Sequence, residues 1–254
     1  VWLYPWDPDL PGLPRATVPE KLADLLTSSG VPGGRIVPGE LKIDMIGYRP
    51  RRRAVVRIQT MNPTAVFYVK VLRPKLFAQV LHKHQMLFQG GTPSPEVVLH
   101  TPDHLMFLRE LPGKTLARAI FEPGDPCTAE QLIAVLDQMP ASVGQLERRR
   151  PWADAVDHYA TMVAAALPEV AADVEWAANK ISEGLAGYPP GNEATHGDFH
   201  EGQIHVANKG IVGILDVDTI GPGRRADDLA CLIAHLSTIQ RMNKQQSEKV
   251  RDLL

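Results

Sequence analysis

The residues best equipped for chemistry lie in the last quarter of this 254-residue chain. Asp198 stands in Thr195-His196-Gly197-Asp198-Phe199-His200-Glu201-Gly202-Gln203, with an amide side chain, Gln203, five residues on. A second carboxylate, Asp216, follows the apolar run Gly213-Ile214-Leu215, and Asp218 comes two residues later. Phosphoryl transfer from a nucleotide needs such a set: one carboxylate to orient and deprotonate a hydroxyl, and an amide and a carboxylate to hold Mg²⁺. Taken singly, each piece reads as ordinary structure, a turn with a buried Asp and a strand ending at the surface. Their order and spacing together favour phosphotransfer, as a motif that needs its structural context.

A nucleotide would need partners elsewhere, and the strand pattern supplies one. Ala65 to Leu72 reads as a strand following the Asn62-Pro63 turn, with Lys70 inside it. An ammonium in an apolar strand is costly unless it meets an anion. Tyr68 and Lys70 share one face by period-two alternation, placing a ring and a cation side by side for adenine and phosphate. The competing reading is an edge-strand lysine that reaches water along its own stem. Two earlier strands, Leu41–Met45 and Ala54–Ile58, flank a basic turn from Gly47 to Arg53. That turn is either a solvated hairpin tip, the slightly favoured reading, or a guanidinium loop over the phosphates.

Residues 74–90 read as an amphipathic helix closed by Gly90-Gly91, with Leu76, Phe77, Val80, Leu81, Leu87 and Phe88 as its buried stripe. No acidic residue occurs between Lys70 and Glu96, so only His82, His84 or Gln85 could orient the lysine from this helix. The usual expectation for such histidines is exposure to solvent. Strands at Glu96–Leu99 and His104–Leu108 follow, and Arg109 to Gly113 breaks the pattern as a linker. By position alone, the backbone of Glu110 and Leu111 is placed to hydrogen-bond an adenine edge.

Residues 1–19 hold five prolines and read as an extended arm, whose Trp2, Tyr4 and Trp6 alternate as if one face packed on the body. A partner-binding motif is the alternative. Pro19 to Ser29 reads as a helix, and the glycines of residues 30–39 belong to a proline-broken loop. Helices are expected over 114–121, 128–145, 152–166 and 173–186, with a capping box at Thr128–Gln131. Arg148, Arg149 and Arg150 read most simply as a solvated helix end, with a contact to substrate as the unsupported alternative. Ile204–Val206 and Gly210–Leu215 form a hairpin around Asn208-Lys209-Gly210, and Ala226 begins a buried helix.

Composition sets the frame. With 44% apolar and 22% charged residues, the chain can bury a globular core. A net charge of −2 argues against nucleic-acid or general membrane-surface partners. Cys127 and Cys231 lack metal-ligand spacing and read as free thiols of a reducing compartment, so a cytoplasmic location is expected. The start at Val1 and the stop inside a helix-compatible stretch suggest a native protein that extends further.

Tyr68-Val69-Lys70, Leu108-Arg109-Glu110-Leu111-Pro112-Gly113, His196-Gly197-Asp198 with Gln203, and Asp216 leading to Asp228-Leu229-Ala230 fall in one order. In this the chain resembles the aminoglycoside phosphotransferase-like (choline kinase-like) family of small-molecule kinases, relatives of protein kinases, over roughly residues 41–236. The resemblance implies an α+β, bilobal protein-kinase-like fold. Residues 1–108 would be the arm and β-rich nucleotide lobe, 109–113 the hinge, and 114–254 the larger helical catalytic and substrate lobe. It also implies ATP and Mg²⁺ as cofactors. Asp198 would be the catalytic base and His196 the brace of its loop. Gln203 and Asp216 would ligate Mg²⁺, with Asp218 helping near the phosphates. Lys70 would bind the phosphates, Tyr68 would stack on adenine, and Asp228 would tie the last helix to the loop.

Two departures stand out. The family usually has Asn where Gln203 stands, so the carbonyl sits on a longer stem. The helix acid that normally pairs the strand lysine is missing. The reading is therefore transfer of a γ-phosphoryl group to a hydroxyl of an aminoglycoside, sugar or amino alcohol. The alternative is a nucleotide-binding, catalytically weak or inactive kinase-like interaction protein. Transfer to a protein hydroxyl ranks lowest, because nothing between Asp216 and Asp228 resembles an activation segment.

Overall fold

In a computed structural model, which describes residues 2–240 and 242–254, the β-branched and alternating segments pair into one antiparallel sheet. Its strands are β1 (Leu41–Arg49), β2 (Arg53–Met61), β3 (Thr64–Leu72), β4 (Val97–His100) and β5 (Leu105–Arg109), in the order β1-β2-β3-β5-β4. β3 lies at the centre, with Lys70 opposite Val55 of β2 and Met106 of β5. The edge-strand reading of Lys70 is thereby corrected. β1 and β2 are longer than their apolar cores predict, because the hairpin pairs through to Arg49 and Arg53.

The N-terminal segment is more than an extended arm. Pro14 occupies the first turn of a short helix, α1 (Leu13–Thr17), where a missing N–H costs nothing. Leu10, Leu13 and Ala16 are fully buried with α2 (Pro19–Ser29) against Val56, Ile58 and Phe107 of the sheet. Each fully buried leucine contributes roughly 1.5–3 kcal/mol, which explains why this segment docks. The aromatics Trp2, Tyr4 and Trp6 stay exposed instead of packing down. The Tyr4 ring stands against the edge of Tyr48, at 5.8 Å between centroids. α3 (Pro74–Gln89) buries Phe77, Val80, Lys83, His84 and Leu87. Phe88 is exposed, contrary to the expected stripe, and His84 is buried where exposure was expected.

The chain divides into two compact units, residues 1–113 with 212–218, and residues 114–211 with 219–254. The short return of 212–218 into the first unit is anchored by the Ile214 N–H, which donates to Pro93 O at 2.8 Å. A Cβ at Gly213 would meet the Leu111 side chain, which would have to shift to admit it.

The second unit is mostly helical: α4 (Leu116–Ala119), α5 (Ala129–Asp137), α6 (Val156–Ala166), α7 (Ala171–Leu185), α8 (Arg225–Thr238) and α9 (Lys244–Leu253). Thr128 and Gln131 form the expected capping box of α5. That helix stops at Asp137 and does not run to Gln145, because Pro140 intervenes and only a 3₁₀ turn follows. Short strands β6 (Lys114–Thr115), β7 (Glu193–Thr195), β8 (Ile204–Ala207), β9 (Gly210–Ile214) and β10 (Gly221–Gly223) complete it, with the end of β9 in the first unit. Asn208 and Lys209 both take positive φ, 51° and 61°, making the two-residue turn that joins β8 and β9. The whole is mixed α+β, with five antiparallel strands in the N-terminal part and a helical C-terminal part. Among the described residues no helix is long and apolar enough to cross a membrane.

Candidate active site

In the first unit, the central strand carries Lys70 into a cluster of anions. Its ammonium lies 2.5 Å from Asp218 Oδ1 and 3.1 Å from Asp216 Oδ1. His84, on the buried face of α3, brings Nε2 to 3.4 Å from the same Asp218 oxygen. The neighbouring Lys83 ammonium donates to the backbone carbonyl of Asp218 at 2.8 Å. The helix therefore does supply the lysine's surroundings, through two cationic or neutral nitrogens and not through an acid. The acid comes from the returning segment 212–218.

The electrostatics follow from burial and pairing. Burial alone would push the Asp218 carboxyl up, but the Lys70 ammonium and the His84 imidazole outweigh it and hold it well below the usual range. Burial pushes His84 below its ordinary value, against the pull of Asp218, so the imidazole is neutral near pH 7. Arg53, at the end of the basic turn, points its guanidinium to within 3.9 Å of Asp216 and 4.0 Å of Asp218. The turn thus divides between the two readings. Arg53 faces the carboxylates, whereas Arg51 is spent on the N-terminal segment through Asp9 at 2.6 Å and its own N–H to Asp7 at 2.8 Å.

Asp216 adopts a φ of 49°, the left-handed region that a non-glycine residue enters at a cost. One of its carboxylate oxygens contacts Lys70, and the other is 3.9 Å from Arg53. As donors for Mg²⁺, carboxylate and amide oxygens are the hard ligands that ion takes. Asp216 fits that demand because, among the described residues, its Oδ2 has only a distant guanidinium as an ion-pair partner. Asp218 is committed to Lys70 and His84.

Tyr68 lies two residues before Lys70 on β3 and brings its hydroxyl to 3.5 Å from the Glu110 carboxylate. The Glu110 N–H donates to Val66 O at 3.3 Å, which occupies the donor expected to face a ligand. Leu111 is half-buried against Gly213.

In the second unit, the loop after β7 is built on one buried carboxylate. Asp228, on the first turn of α8, accepts the N–H of His196 at 2.7 Å and that of Gly197 at 2.8 Å. Thr219 Oγ1 donates to His196 O at 2.7 Å, so the residue is held at both its N–H and its carbonyl. The fully buried His196 ring packs on Phe199, 5.9 Å between centroids. Gly197 has a φ of 79°, and a Cβ there would stand 2.8 Å from Thr219 O. Only glycine makes this turn without displacing the backbone. Asp198 follows and lines a cavity. Gln203 is half-buried at the end of the loop, its N–H donating to His200 O at 2.9 Å.

A His200, Glu201 and His235 cluster lies beside this loop. Glu201 Oε2 is 3.7 Å from His200 Nδ1 and 3.4 Å from His235 Nδ1. The two imidazoles stack at 4.4 Å and 16° from parallel, so their in-plane lone pairs do not converge on one ion. His200 Nδ1 also accepts the Gly202 N–H at 3.1 Å, which reads as a brace of the loop.

The cavity beside Asp198 measures about 520 Å³. Arg149 and Arg150 lie on its lining, not at a helix end as expected, and Trp152 and Tyr159 add aromatic surface. Arg148 is instead spent on the carbonyls of Pro190 at 2.9 Å, Gly191 at 2.5 Å and Pro222 at 3.3 Å.

A family model described as the phosphotransferase enzyme family matches residues 47–248. Among solved structures, the apoenzyme of macrolide 2′-phosphotransferase MphH from Brachybacterium faecium is 18% identical with a TM-score of 0.59, over 92% of this chain and 81% of that one. A choline/ethanolamine kinase family protein from Mesorhizobium loti is 18% identical with a TM-score of 0.61, over 93% and 76%. A thermostable mutant of aminoglycoside phosphotransferase APH(4)-Ia, in ternary complex with ADP and hygromycin B, is 13% identical with a TM-score of 0.60, over 91% and 80%. At these identities the likeness is one of fold. An uncharacterized protein of Deinococcus radiodurans is 33% identical over 116 residues, 45% of this chain and 30% of that protein's length.

Proposed function

The chain belongs to the phosphotransferase enzyme family, and from that premise we propose that it transfers the γ-phosphoryl group of ATP to a hydroxyl of a small molecule such as an aminoglycoside, sugar or amino alcohol. The observation that carries this reading is the ammonium of Lys70, buried in the central strand and held by Asp216 and Asp218. A buried cation kept charged by carboxylates is a ready partner for a polyphosphate. Lys70 and Arg53 bind the phosphates, Tyr68 lies against the adenine, and the Leu111 backbone meets its edge. Asp218 takes the orienting role that an acid on α3 would otherwise have, with His84 steadying it. Mg²⁺, held by Asp216 and Gln203, would neutralise charge on the phosphates when bound.

In the second unit, Asp198 orients the acceptor hydroxyl and takes its proton as the oxygen attacks phosphorus. His196 and Asp228 fix the loop so that this carboxylate does not wander. On this reading residues 1–108 form the nucleotide lobe, 109–113 the hinge and 114–254 the catalytic and substrate lobe, with 212–218 lent to the first. Two unpaired cysteines accord with a cytoplasmic location.

The test is ATP turnover with Mg²⁺ across a panel of hydroxyl compounds, followed by product mass. Phosphorylated product that disappears in Asp198→Ala supports the proposal. A folded protein that binds Mg-ATP yet turns over no acceptor would favour a nucleotide-binding interaction protein instead.

A further inference from the structure

The cavity beside Asp198 has three aspartates and three arginines on its lining, and they differ in which are left open to a ligand. Its acidic groups are largely spent. Asp227 and Asp154 share the single guanidinium of Arg224, at 3.0 Å and 2.6 Å, so the trio keeps one net negative charge while its contacts are made within the protein. Asp228 is buried and both its oxygens are turned to backbone N–H groups, which leave its charge in place but occupy the oxygens a ligand would need. Asp198 is the one carboxylate on the lining outside these pairings.

The basic groups are not spent in the same way. Arg150 donates to the carbonyl oxygen of Asp154, a neutral partner that leaves its charge intact. Arg149 is exposed and has no ion-pair partner among the described residues. Guanidinium groups suit carboxylates and phosphates because their paired donors match paired oxygens. Beside them, Trp152 and Tyr159 hold their rings 5.4 Å apart at 41°, an aromatic surface open to a flat apolar group. Cys231 adds to the apolar lining, its thiol pushed up to about 11 by burial and hence uncharged.

We infer that the acceptor is an alcohol with a flat apolar body and an anionic group, the body against Trp152 and Tyr159, the anion on Arg149 and Arg150, and the hydroxyl at Asp198. This narrows the acceptor class and rests on the phosphotransfer reading. In the reaction the alcohol oxygen bonds to the γ-phosphorus of ATP. The bond from that phosphorus to the β,γ-bridging oxygen breaks, its electron pair leaving with ADP, and the alcohol proton passes to Asp198.

Three alcohols of one shape and different charge test it: para-hydroxymethylbenzoate, benzyl alcohol and para-aminomethylbenzyl alcohol. Affinity is read by calorimetry on the full chain with Mg²⁺ and a non-hydrolysable ATP analogue, and turnover is read with Mg-ATP. The carboxylate probe is expected to bind roughly tenfold tighter than the neutral one, with the amine weakest. Arg149→Gln with Arg150→Gln should erase that order, and both side chains are exposed, so circular dichroism should be unchanged. Trp152→Ala should weaken all three probes by a similar factor. Equal or tighter binding of the amine, an order that survives the arginine substitutions, or no binding by any probe would each overturn the inference. Binding in the expected order with no phosphorylated product would sustain the ligand class of the cavity and overturn its role as a phosphate acceptor, together with the phosphotransfer reading.

Discussion

The ammonium of Lys70 stands 2.5 Å from Oδ1 of Asp218, a carboxylate 148 residues further along the chain. The pair is mostly shielded, with side-chain exposures of 11% and 15%. Two opposite charges so placed gain from each other but lose hydration, so the pair matters most when it is broken. His84 and Lys83 complete the surroundings of Asp218 from α3, which carries no acid of its own.

Breaking that pair from one side should be expensive. Lys70→Ala leaves the Asp218 carboxylate with His84, the distant Arg53 and the Lys83 ammonium on its backbone carbonyl, and a loss of roughly 3 kcal/mol in unfolding free energy is expected. Asp218→Ala should cost a similar amount, while the double variant should cost clearly less than the sum. Urea unfolding of the four proteins gives the coupling directly. Additive losses would mean that the contact contributes nothing specific.

His84 gives the same cluster a pH dependence with a defined sign. Burial lowers its imidazole below the ordinary value, while Asp218 works in the other direction. Below about pH 6.5 the unfolded chain binds a proton at this residue that the native state does not. Stability from this residue is therefore fully present above that pH and declines as pH falls, by at most about 1.4 kcal/mol per unit. The Asp218 carboxyl is depressed, so its contribution is kept above about pH 3.9 and is lost only at more acid values. Unfolding measured between pH 7.5 and about 5 should show a shallower slope in His84→Asn than in the parent. Parallel slopes in the two proteins would rule His84 out as the source.

The loop that carries Asp198 should be sensitive at two points that act through its backbone. Asp228→Ala orphans the buried N–H groups of His196 and Gly197, each worth roughly 1–3 kcal/mol when left unsatisfied. Gly197→Ala forces a side chain into a φ of 79° against Thr219 O, with strain of about 1–3 kcal/mol. Both variants should melt earlier and should lose turnover by a larger factor than ATP affinity. A Gly197→Ala protein with parental melting temperature and activity would refute the backbone argument.

Local patterns made much of this legible. The alternation around Lys70 placed it on a strand, and the capping residues Thr128 and Gln131 marked the start of α5. The same patterns failed where the deciding partner is remote. Nothing near Lys70 in the chain announces Asp218, since the pairing depends on how 212–218 returns to the sheet. His84 looked like a surface histidine because helical spacing alone does not say which carboxylate will meet it. Arg149 and Arg150 looked like a solvated charge run, and only the fold reveals the cavity they line. The N-terminal prolines were read as helix breakers throughout, although Pro14 sits where a helix tolerates one. Pro140 was passed over in the opposite sense, since the helix expected over 128–145 runs through it, whereas α5 ends before it.

Asp198 and Gln203, five residues apart on one loop, should fail in different ways when replaced. Asp198→Asn keeps the shape but removes the proton acceptor, so the maximal rate should fall roughly 10²- to 10⁴-fold while the apparent affinity for ATP changes little. Gln203→Ala removes an oxygen donor and leaves the base in place. At saturating Mg²⁺ much of the rate should return, with the Mg²⁺ concentration for half-maximal rate raised roughly tenfold. Gln203→Asn shortens the stem by one methylene and tests whether the longer side chain is needed here. A requirement for Mg²⁺ that stays the same in Gln203→Ala would remove this side chain from the metal, and the carbonyl would then have to be assigned to another residue. Equal loss of rate in Asp198→Asn and Gln203→Ala, unrelieved by Mg²⁺, would instead mean that both act by holding the loop.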